Sequence, residues 1–349
     1  MPRFRGLIHG SAIGFQLILL LQGFGSFPRE SRRIMLTLNF VGEIIVLNTD
    51  GDHKRGPSMS YPELLAKTRE LVAAAQTMGV LGAELRLRQM GHDGHPLVRS
   101  ALQAVLRNLE PSLLDGLEPG QAAAIIGQLI YGLQDALNLI REPERAPGWP
   151  YTDPDVLQER GRGSRAVARN FANLARQRSA LAALLRDCRF LDIGTGVGWL
   201  AIEAAKIWPG MRIVGLDIWE PSLRLAATNV AAEGLQDRII LRQENVTEIN
   251  DEAAFDVIWL PPCLPREVVD RALPRIARAL APGGFLLFGI FASRPNPLSQ
   301  SLSELLTIRN GGYPWQFEEV KEKLRIAGFS NIEHAVGHPS HSVIIAQHE

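Results

Sequence analysis

The sequence predicts an α/β fold in which a mostly parallel sheet, covered by helices on both faces, follows an all-helical region. Short apolar runs alternate with helical patterns from Ser164 onward, as strands and helices do in parallel sheets. Residues 61–140 instead repeat apolar positions at helical spacing. Four prolines between residues 143 and 154 separate the two regions, which places a domain boundary near residue 155.

The composition argues against several classes of protein. The 349 residues are 46% hydrophobic and 21% charged with a formal net charge of zero, which disfavours disorder and gives no global attraction to nucleic acid. Cys188 and Cys263 form no disulfide framework or metal spacing and fit a reducing, cytoplasmic compartment. His92 and His95 have a spacing seen in metal sites but no partner ligands, so we expect no metal.

Residues 1–58 are assigned to an N-terminal extension whose place in the native protein is open. The apolar stretch of residues 13–24 contains glutamine and glycine and is shorter than the ~20 apolar residues of a membrane span. We therefore expect no stable membrane span. Met35 and Met59 are alternative start sites, and Met59 leads directly into a helical pattern. Our hypothesis is that the region before residue 58 is dispensable or untranslated.

Residues 59–155 are predicted to form a helical cap over a substrate, or a region through which two copies of the chain form a homodimer. Apolar periodicity predicts three helices, at residues 61–75, 96–106 and 120–140. The proline-rich stretch 142–155 ends this region as a linker or ordered loop, with Trp149 and Tyr151 in its middle. Both aromatic residues are candidates for an acceptor pocket.

Residues 156–349 are predicted to form the sheet domain. Five apolar runs predict strands at residues 190–193, 212–216, 239–241, 257–260 and 285–290. Helical patterns lie between and after them, at residues 199–207, 221–233, 266–280 and 315–327. The segments 331–335 and 342–346 predict a closing hairpin.

The first of these strands runs into a glycine-rich turn, Asp192-Ile-Gly-Thr-Gly-Val-Gly198, which leads into a helix. Glycines allow a tight turn and let the backbone approach a ligand closely, and the helix N-terminus offers free N–H groups. The dinucleotide fingerprint requires a third glycine three positions after the second, and that position is Trp199. The spacing therefore disfavours an NAD site.

Three further landmarks follow this turn in order. Asp217 ends the second strand, where a carboxylate can accept hydrogen bonds from both hydroxyls of a ribose. Asn245 and Val246 follow the third strand, and Leu280-Ala-Pro-Gly-Gly284 precedes the fifth. Together with the glycine turn, these landmarks resemble the motifs of class I S-adenosylmethionine-dependent methyltransferases over residues 188–290.

The resemblance implies a Rossmann-like sheet of seven strands with an antiparallel last strand, and S-adenosyl-L-methionine as cofactor. It implies that Asp192 orients the turn, that Asp217 holds the ribose and that Asn245 faces the adenine amino group. Ile218 and Trp219 would pack on the adenine, with ordinary core packing as the alternative. The full set of implied cofactor residues is Asp192, Gly194, Thr195, Gly196, Gly198, Asp217, Ile218, Trp219, Asn245, Val246 and Leu260.

The fourth strand bears on the acceptor, because it ends in Leu260-Pro-Pro-Cys263. Methyltransferases that act on exocyclic base nitrogens or glutamine amides often carry Asn or Asp before the two prolines and an aromatic residue after them. Leu260 cannot accept a hydrogen bond from an amino nitrogen, which disfavours that subclass. Cys263 fits a small apolar wall better than a nucleophile. The acceptor-pocket candidates are Trp149, Tyr151, Pro262, Cys263, Tyr313 and Trp315.

No catalytic residue is assigned, because methyl transfer from a sulfonium depends mainly on positioning the acceptor atom. One of His334, His338 and His341 could act as a general base, with ordinary surface histidines as the alternative. We predict methyl transfer to a small molecule, with oxygen favoured over carbon or nitrogen and no nucleic-acid partner. The alternatives are an NAD-dependent oxidoreductase and a non-catalytic protein of the same fold.

Overall fold

The computed structural model describes residues 59–349 except 111, 295 and 336–340, together with the backbone of residues 36–40 and 43–47. The chain forms two compact units that divide between Gly116 and Leu117. This division precedes the predicted boundary near residue 155, because the third predicted helix packs within the unit that contains the sheet. The prediction about residues 1–58 falls largely outside the described residues.

The first unit contains a hairpin and two helices: β1 (Leu36–Phe40), β2 (Glu43–Leu47), α1 (Tyr61–Met90) and α2 (Pro96–Leu109). Helix α1 begins with a capping box in which the Ser60 backbone N–H donates to Glu63 Oε2 at 2.7 Å. Buried Glu84 forms an ion pair with Arg99 across the two helices. Both helices occur where the apolar periodicity predicts them, but α1 continues to Met90, beyond the predicted end at residue 75.

The second unit is a seven-stranded sheet covered by helices. Its helices are α3 (Pro119–Arg141), α4 (Pro154–Arg162), α5 (Arg165–Ala175), α6 (Ser179–Leu185), α7 (Trp199–Ile207), α8 (Glu220–Ala232), α9 (Arg266–Ala279), α10 (Pro297–Arg309) and α11 (Phe317–Ile326). Its strands are β3 (Arg189–Ile193), β4 (Arg212–Asp217), β5 (Ile239–Gln243), β6 (Phe255–Leu260), β7 (Leu280–Phe291), β8 (Phe329–Ala335) and β9 (His341–His348).

The strand order is β5-β4-β3-β6-β7-β9-β8. The pairs from β5 to β7 are parallel, and β9 runs antiparallel to both of its neighbours. The predicted sheet of seven strands with an antiparallel last strand is therefore confirmed. Because β3 to β6 are parallel, their carboxyl ends meet at one edge, which is where ligands bind in open sheets of this kind.

The central strands β3, β6 and β7 are buried on both faces, which explains why they read as continuous apolar runs. Phe190 of β3 packs on one face with Phe171 of α5, and Trp259 joins the same cluster. Leu191 and Ile193 point to the other face, into the cluster that α9 and α11 cover. The alternation follows from the two-residue period of a strand.

Helix α3 contains the segment Gly120–Arg141, which by length and composition alone is apolar enough to cross a membrane. In the structure this helix packs on α4 and carries the buried Asp135. Gly127 permits the close approach, because a Cβ at that position would lie 2.7 Å from the carbonyl oxygen of Glu159. Helix α3 thereby brings polar and aromatic side chains to the sheet-bearing unit.

Candidate functional site

The turn between β3 and α7 is shaped by three glycines. The φ angles of Gly194, Gly196 and Gly198 are 64°, 57° and 83°, in the left-handed region where other residues are strained. The Thr195 N–H donates to the Leu216 carbonyl at 3.0 Å, which ties the turn to β4. A Cβ on Gly196 would meet nothing closer than a backbone oxygen at 4.0 Å. The turn therefore presents bare backbone to open space, as a cradle for a ligand.

Asp192 supports this turn from the end of β3. Its side chain is 1% exposed, and Oδ2 accepts a hydrogen bond from Thr195 Oγ1 at 2.7 Å. Burial raises the pKa of Asp192 to about 7, the Thr195 hydrogen bond opposes this rise, and the charge of Asp217 adds to it. The carboxyl group therefore titrates near neutrality.

Asp217 ends β4 and accepts backbone hydrogen bonds from Gly196 and Trp219, both at 2.8 Å. Burial raises the pKa of its carboxyl, and the hydrogen bonds from Trp219 and Gly196 oppose that rise. A carboxylate has about four lone-pair sites, so acceptor capacity remains for the two hydroxyls of a ribose. Together with the open glycine turn, this donor and acceptor set fits a nucleoside cofactor.

Ile218 and Trp219 follow Asp217 at the same edge. The side chain of Ile218 is 64% exposed, so an apolar surface is available for packing against a ring. The indole N–H of Trp219 donates to the Tyr151 carbonyl at 2.8 Å. The linker before α4 thus fixes Trp219 in place, an interaction for which sequence spacing offers no signal.

Asn245 and Leu260 differ from their predicted roles. Asn245 Oδ1 accepts hydrogen bonds from both the backbone N–H and the hydroxyl of Thr247, at 3.0 and 2.9 Å. Its free group is the amide nitrogen, a donor, which cannot accept from an adenine amino group. Leu260 is 0% exposed in the core, so its side chain does not face a ligand. Val246 is also buried, which leaves only its backbone for the predicted contact.

A cavity of about 300 Å³ opens beside the end of β6. Its walls combine the rings of Tyr131, Trp149 and Phe291, the aliphatic Leu302 and Leu306, the guanidinium groups of Arg160 and Arg294, and the smaller polar side chains of Cys263, Ser299, Ser303, Thr307 and Asn310. Pro261, two residues before Cys263, lies against the glycine turn, since a Cβ on Gly194 would be 3.2 Å from its Cγ. The cavity is therefore adjacent to the cofactor cradle.

Two of the six predicted acceptor-pocket residues, Trp149 and Cys263, line this cavity. Tyr151 lies behind the wall, where its hydroxyl donates to Asp135. Pro262 packs against the backbone of β7, because a Cβ on Gly289 would be 2.8 Å from its Cδ. These placements keep the linker and the end of β6 at the site.

Tyr313 and Trp315 do not line the cavity, so their predicted role is corrected. Trp315 is 3% exposed and packs edge-on against Phe288 at 5.7 Å, within the core of the sheet face covered by α9 and α11. The Tyr313 hydroxyl accepts a hydrogen bond from Arg266 at 3.0 Å.

Arg160 is the central cavity residue that sequence reasoning missed. Its guanidinium carbon lies 3.6, 4.5 and 4.6 Å from the ring centroids of Tyr131, Trp149 and Tyr151. Its Nη1 is 3.7 Å from Asp135 Oδ1. Burial raises the pKa of Tyr131 to about 12, so that hydroxyl stays protonated. The cluster assembles from α3, α4 and the linker, which no local sequence pattern connects.

The linker that carries Trp149 is held by α10. The Gly148 N–H donates to the Arg309 carbonyl at 3.1 Å, and Arg145 donates to the Gly148 carbonyl at 2.8 Å. Arg309 is 8% exposed and donates to the Asn138 carbonyl of α3 at 3.0 Å. Because buried arginine donors need partners, these bonds fix the cavity wall.

No general base is apparent in the described part of the cavity wall. Cys263 is an exposed residue, yet desolvation of its thiol by the surrounding protein and the charge of Asp217 raise its pKa to about 11, so it is neither a thiolate nor a base at neutral pH. His334 stacks on Phe317 with ring centroids 4.9 Å apart, and it does not line the cavity. His338 and the side chain of His341 lie outside the described residues.

Comparison with known proteins identifies part of the chain. The profile of a family described as "Methyltransferase domain" matches residues 190–284. The ribosomal protein uL3 glutamine methyltransferase of Bordetella pertussis is 41% identical over 119 residues, which cover 32% of this chain and 40% of the relative. The chain thus spans less than half of the length of this curated relative.

Two solved structures share the fold over most of the chain. Human N-acetylserotonin methyltransferase in complex with S-adenosylmethionine aligns with a TM-score of 0.57 and 17% identity, over 84% of this chain and 99% of that one. The mitomycin 7-O-methyltransferase aligns with a TM-score of 0.55 and 19% identity, over 81% and 98% of the two chains. At these identities, the comparison establishes the fold alone.

Proposed function

We propose that this chain, whose residues 190–284 form a class I S-adenosylmethionine-dependent methyltransferase domain, methylates a small molecule at an oxygen atom. The observation that carries the proposal is the aromatic-walled cavity beside the glycine turn. Its volume of about 300 Å³ is at the lower end of small-molecule sites. A cavity of this size next to the cofactor cradle suits a compact acceptor.

S-Adenosylmethionine supplies a methyl group activated by its sulfonium. Asp217 would hold the ribose, the turn at Gly196 would lie against the methionyl portion, and Asp192 would face the amino group. Trp219, held by the Tyr151 carbonyl, would border the adenine. With the cofactor bound by these residues, the rest of the protein has to orient the acceptor and exclude water, which can supply much of the acceleration.

The chemistry of the cavity favours an acidic hydroxyl as the acceptor. The pKa values of Tyr131 and Cys263 are raised to about 12 and about 11, so both groups are already protonated at neutral pH. Neither can therefore take a proton from the acceptor. Arg160 and Arg294 stabilise negative charge nearby and lower the pKa of an acceptor hydroxyl. A phenol or enol, which ionises without a strong base, suits this wall better than an aliphatic alcohol.

A second candidate is methylation of a protein glutamine, which the identity with the ribosomal protein uL3 glutamine methyltransferase favours. This chain keeps Pro261 and Pro262 at the end of β6. However, the preceding Leu260 is buried and has no polar atom in its side chain with which to orient an amide nitrogen. We therefore place protein methylation second.

The test is binding followed by transfer. We expect calorimetry to show that S-adenosylhomocysteine binds the full chain and that NADH does not. Labelled S-adenosylmethionine should then methylate members of a phenol panel but not a ribosomal protein fraction from the source organism. Binding of NADH alone would contradict the cofactor assignment. Labelling confined to the ribosomal fraction would support the second candidate instead.

A further inference from the structure

We propose that the acceptor is a hydroxylated aromatic molecule bearing a carboxylate or phosphate group, which the cavity receives through Arg294 and Arg160. This inference rests on the proposed function and names its class of substrate. Both guanidinium groups line the cavity, and no aspartate or glutamate is among its lining residues. The lining of this cavity is therefore positively charged, although the whole chain has a formal net charge of zero.

Arg294 lies between β7 and α10 and is only partly exposed. Its backbone N–H donates to Gln300 Oε1 at 2.9 Å, which anchors this segment to α10. Within the described part of the chain, its side chain forms no ion pair, unlike Arg189 or Arg242, each of which faces an aspartate. A partly buried cation without a counter-charge is costly, and a bound anion removes that cost.

The neighbours of Arg294 add hydrogen-bonding capacity for such an anion. Ser303 lines the same cavity one turn beyond Ser299 on α10 and offers a hydroxyl donor, whereas the Ser299 hydroxyl already donates to the Asn296 carbonyl at 3.0 Å. Hydroxyl groups and a guanidinium are the donors that carboxylates and phosphates use in protein sites. The α10 side of the cavity is therefore suited to an anionic head group.

Arg160 supplies the second positive charge. Its single described counter-ion, Asp135, is 3.7 Å away, beyond hydrogen-bond distance, and also accepts from the Tyr151 hydroxyl. The Nη1 atom of Arg160 has no hydrogen-bond partner in the described structure. Two arginines against one aspartate leave the cluster with a net positive charge. The stacked rings hold the guanidinium of Arg160 in one orientation, so it can meet an anion without first being ordered.

The remaining walls select a flat, apolar body. Trp149 and Phe291 contribute rings, and Leu302 and Leu306 contribute aliphatic surface between the arginines and Cys263. Cys263 follows Pro261 by two residues, and Pro261 contacts the glycine turn at Gly194, where the cofactor would lie. An aromatic acceptor could thus place its anion at Arg294 and its hydroxyl at the cofactor.

The experiment measures probe binding to the full chain saturated with S-adenosylhomocysteine. The probes are 1-naphthoate, 1-naphthyl phosphate and the neutral 1-naphthalenemethanol. Their binding is measured by calorimetry and by the quenching of tryptophan fluorescence, to which Trp149 contributes. We expect at least one anionic probe to bind about tenfold or more tightly than the neutral one, as charge-assisted hydrogen bonds require. The ratio between the two anions identifies carboxylate or phosphate as the preferred group.

Two variants assign the effect to Arg294. Arg294→Gln should reduce the preference for the anion about tenfold or more, Arg294→Lys should retain most of it, and both should keep the affinity for S-adenosylhomocysteine. The matched control Arg325→Gln removes an exposed arginine of α11 and should change nothing. Equal binding of charged and neutral probes, or no probe binding, overturns the inference while the methyltransferase assignment stands. Failure to bind S-adenosylhomocysteine overturns the proposed function itself.

Discussion

Asp192 and Asp217 end neighbouring strands, yet their carboxyl groups are set up differently. Asp217 accepts two backbone N–H groups and keeps acceptor capacity for a ligand. Asp192 accepts a single hydroxyl from Thr195 and is almost fully buried. The two residues therefore respond differently to substitution and to pH, although both carry the same side chain.

Asp217→Ala should weaken S-adenosylhomocysteine binding by about tenfold or more. The substitution leaves two ribose hydroxyls unpaired and releases the N–H groups of Gly196 and Trp219. Calorimetry on the wild type, on this variant and on the control Glu322→Ala, an exposed acid of α11, measures the effect. Unchanged affinity in Asp217→Ala would show that the ribose lies elsewhere.

Cofactor affinity should rise as pH increases through about 7, because a cationic amino group favours ionised Asp192. The ordinary pKa of an aspartate is 3.8, so between this value and about 7 the folded protein holds a proton that the unfolded chain releases. The stability that this proton contributes to the folded state is fully present below pH 3.8 and is lost as the pH rises through about 7. Calorimetry at pH 6 and pH 8 should show the rise in wild type and its loss in Asp192→Asn. A flat wild-type profile would exclude this role.

At the scale of elements, α4 packs directly on the glycine turn. A Cβ on Gly161 would lie 2.1 Å from Val197 Cγ2, so only glycine permits this approach. The contact connects α4, which carries Arg160, to the turn that would hold the cofactor. One helix therefore contacts both the proposed cofactor site and the proposed acceptor site.

Gly161→Ala should destabilise the protein by about 1–3 kcal/mol, because it overpacks this contact. Adding Val197→Ala, which removes the clashing methyl group, should recover part of the loss, with a coupling of about 0.5–3 kcal/mol. Urea unfolding measures the free energy of unfolding of Gly161→Ala, of Val197→Ala and of the double variant. The control is Gly163→Ala, whose Cβ would meet only Arg160 O at 3.5 Å and whose φ of −60° suits alanine. Strictly additive losses would contradict the proposed clash.

Most elements of the sheet-bearing unit could be predicted, and α4 and α10 are the main exceptions. The strands β3, β6 and β7 are buried on both faces and therefore read as apolar runs. Helix α10 instead exposes Leu298, Leu302 and Leu305 at 46–55% of their surface, so its leucines do not trace a buried stripe. The helix is defined by its contacts with the linker rather than by its own periodicity.

At the scale of the whole molecule, the residues assigned to the cofactor and the cavity all belong to the unit Leu117–Glu349. A chain that starts at Met59 should therefore bind S-adenosylhomocysteine within about twofold of the full chain, since no assigned contact is removed. Calorimetry on both chains tests this expectation. A large loss would mean that residues 1–58 contribute to the fold or the site.

The proposed location is cytoplasmic, where the free Cys188 and Cys263 stay reduced.

The sequence by itself determined the fold and the cofactor cradle, because these depend on local rules. Left-handed turns need glycine, buried parallel strands need apolar runs, and a carboxylate at a strand end can hold a ribose. Only the tertiary structure brings together the residues of the proposed acceptor site. Arg160, Arg294 and Tyr131 come from separate elements that converge only after packing, and Trp315 and Leu260 turn into the core. Whether a side chain lines the cavity or lies in the core depends on long-range packing, which produces no periodic pattern in the sequence.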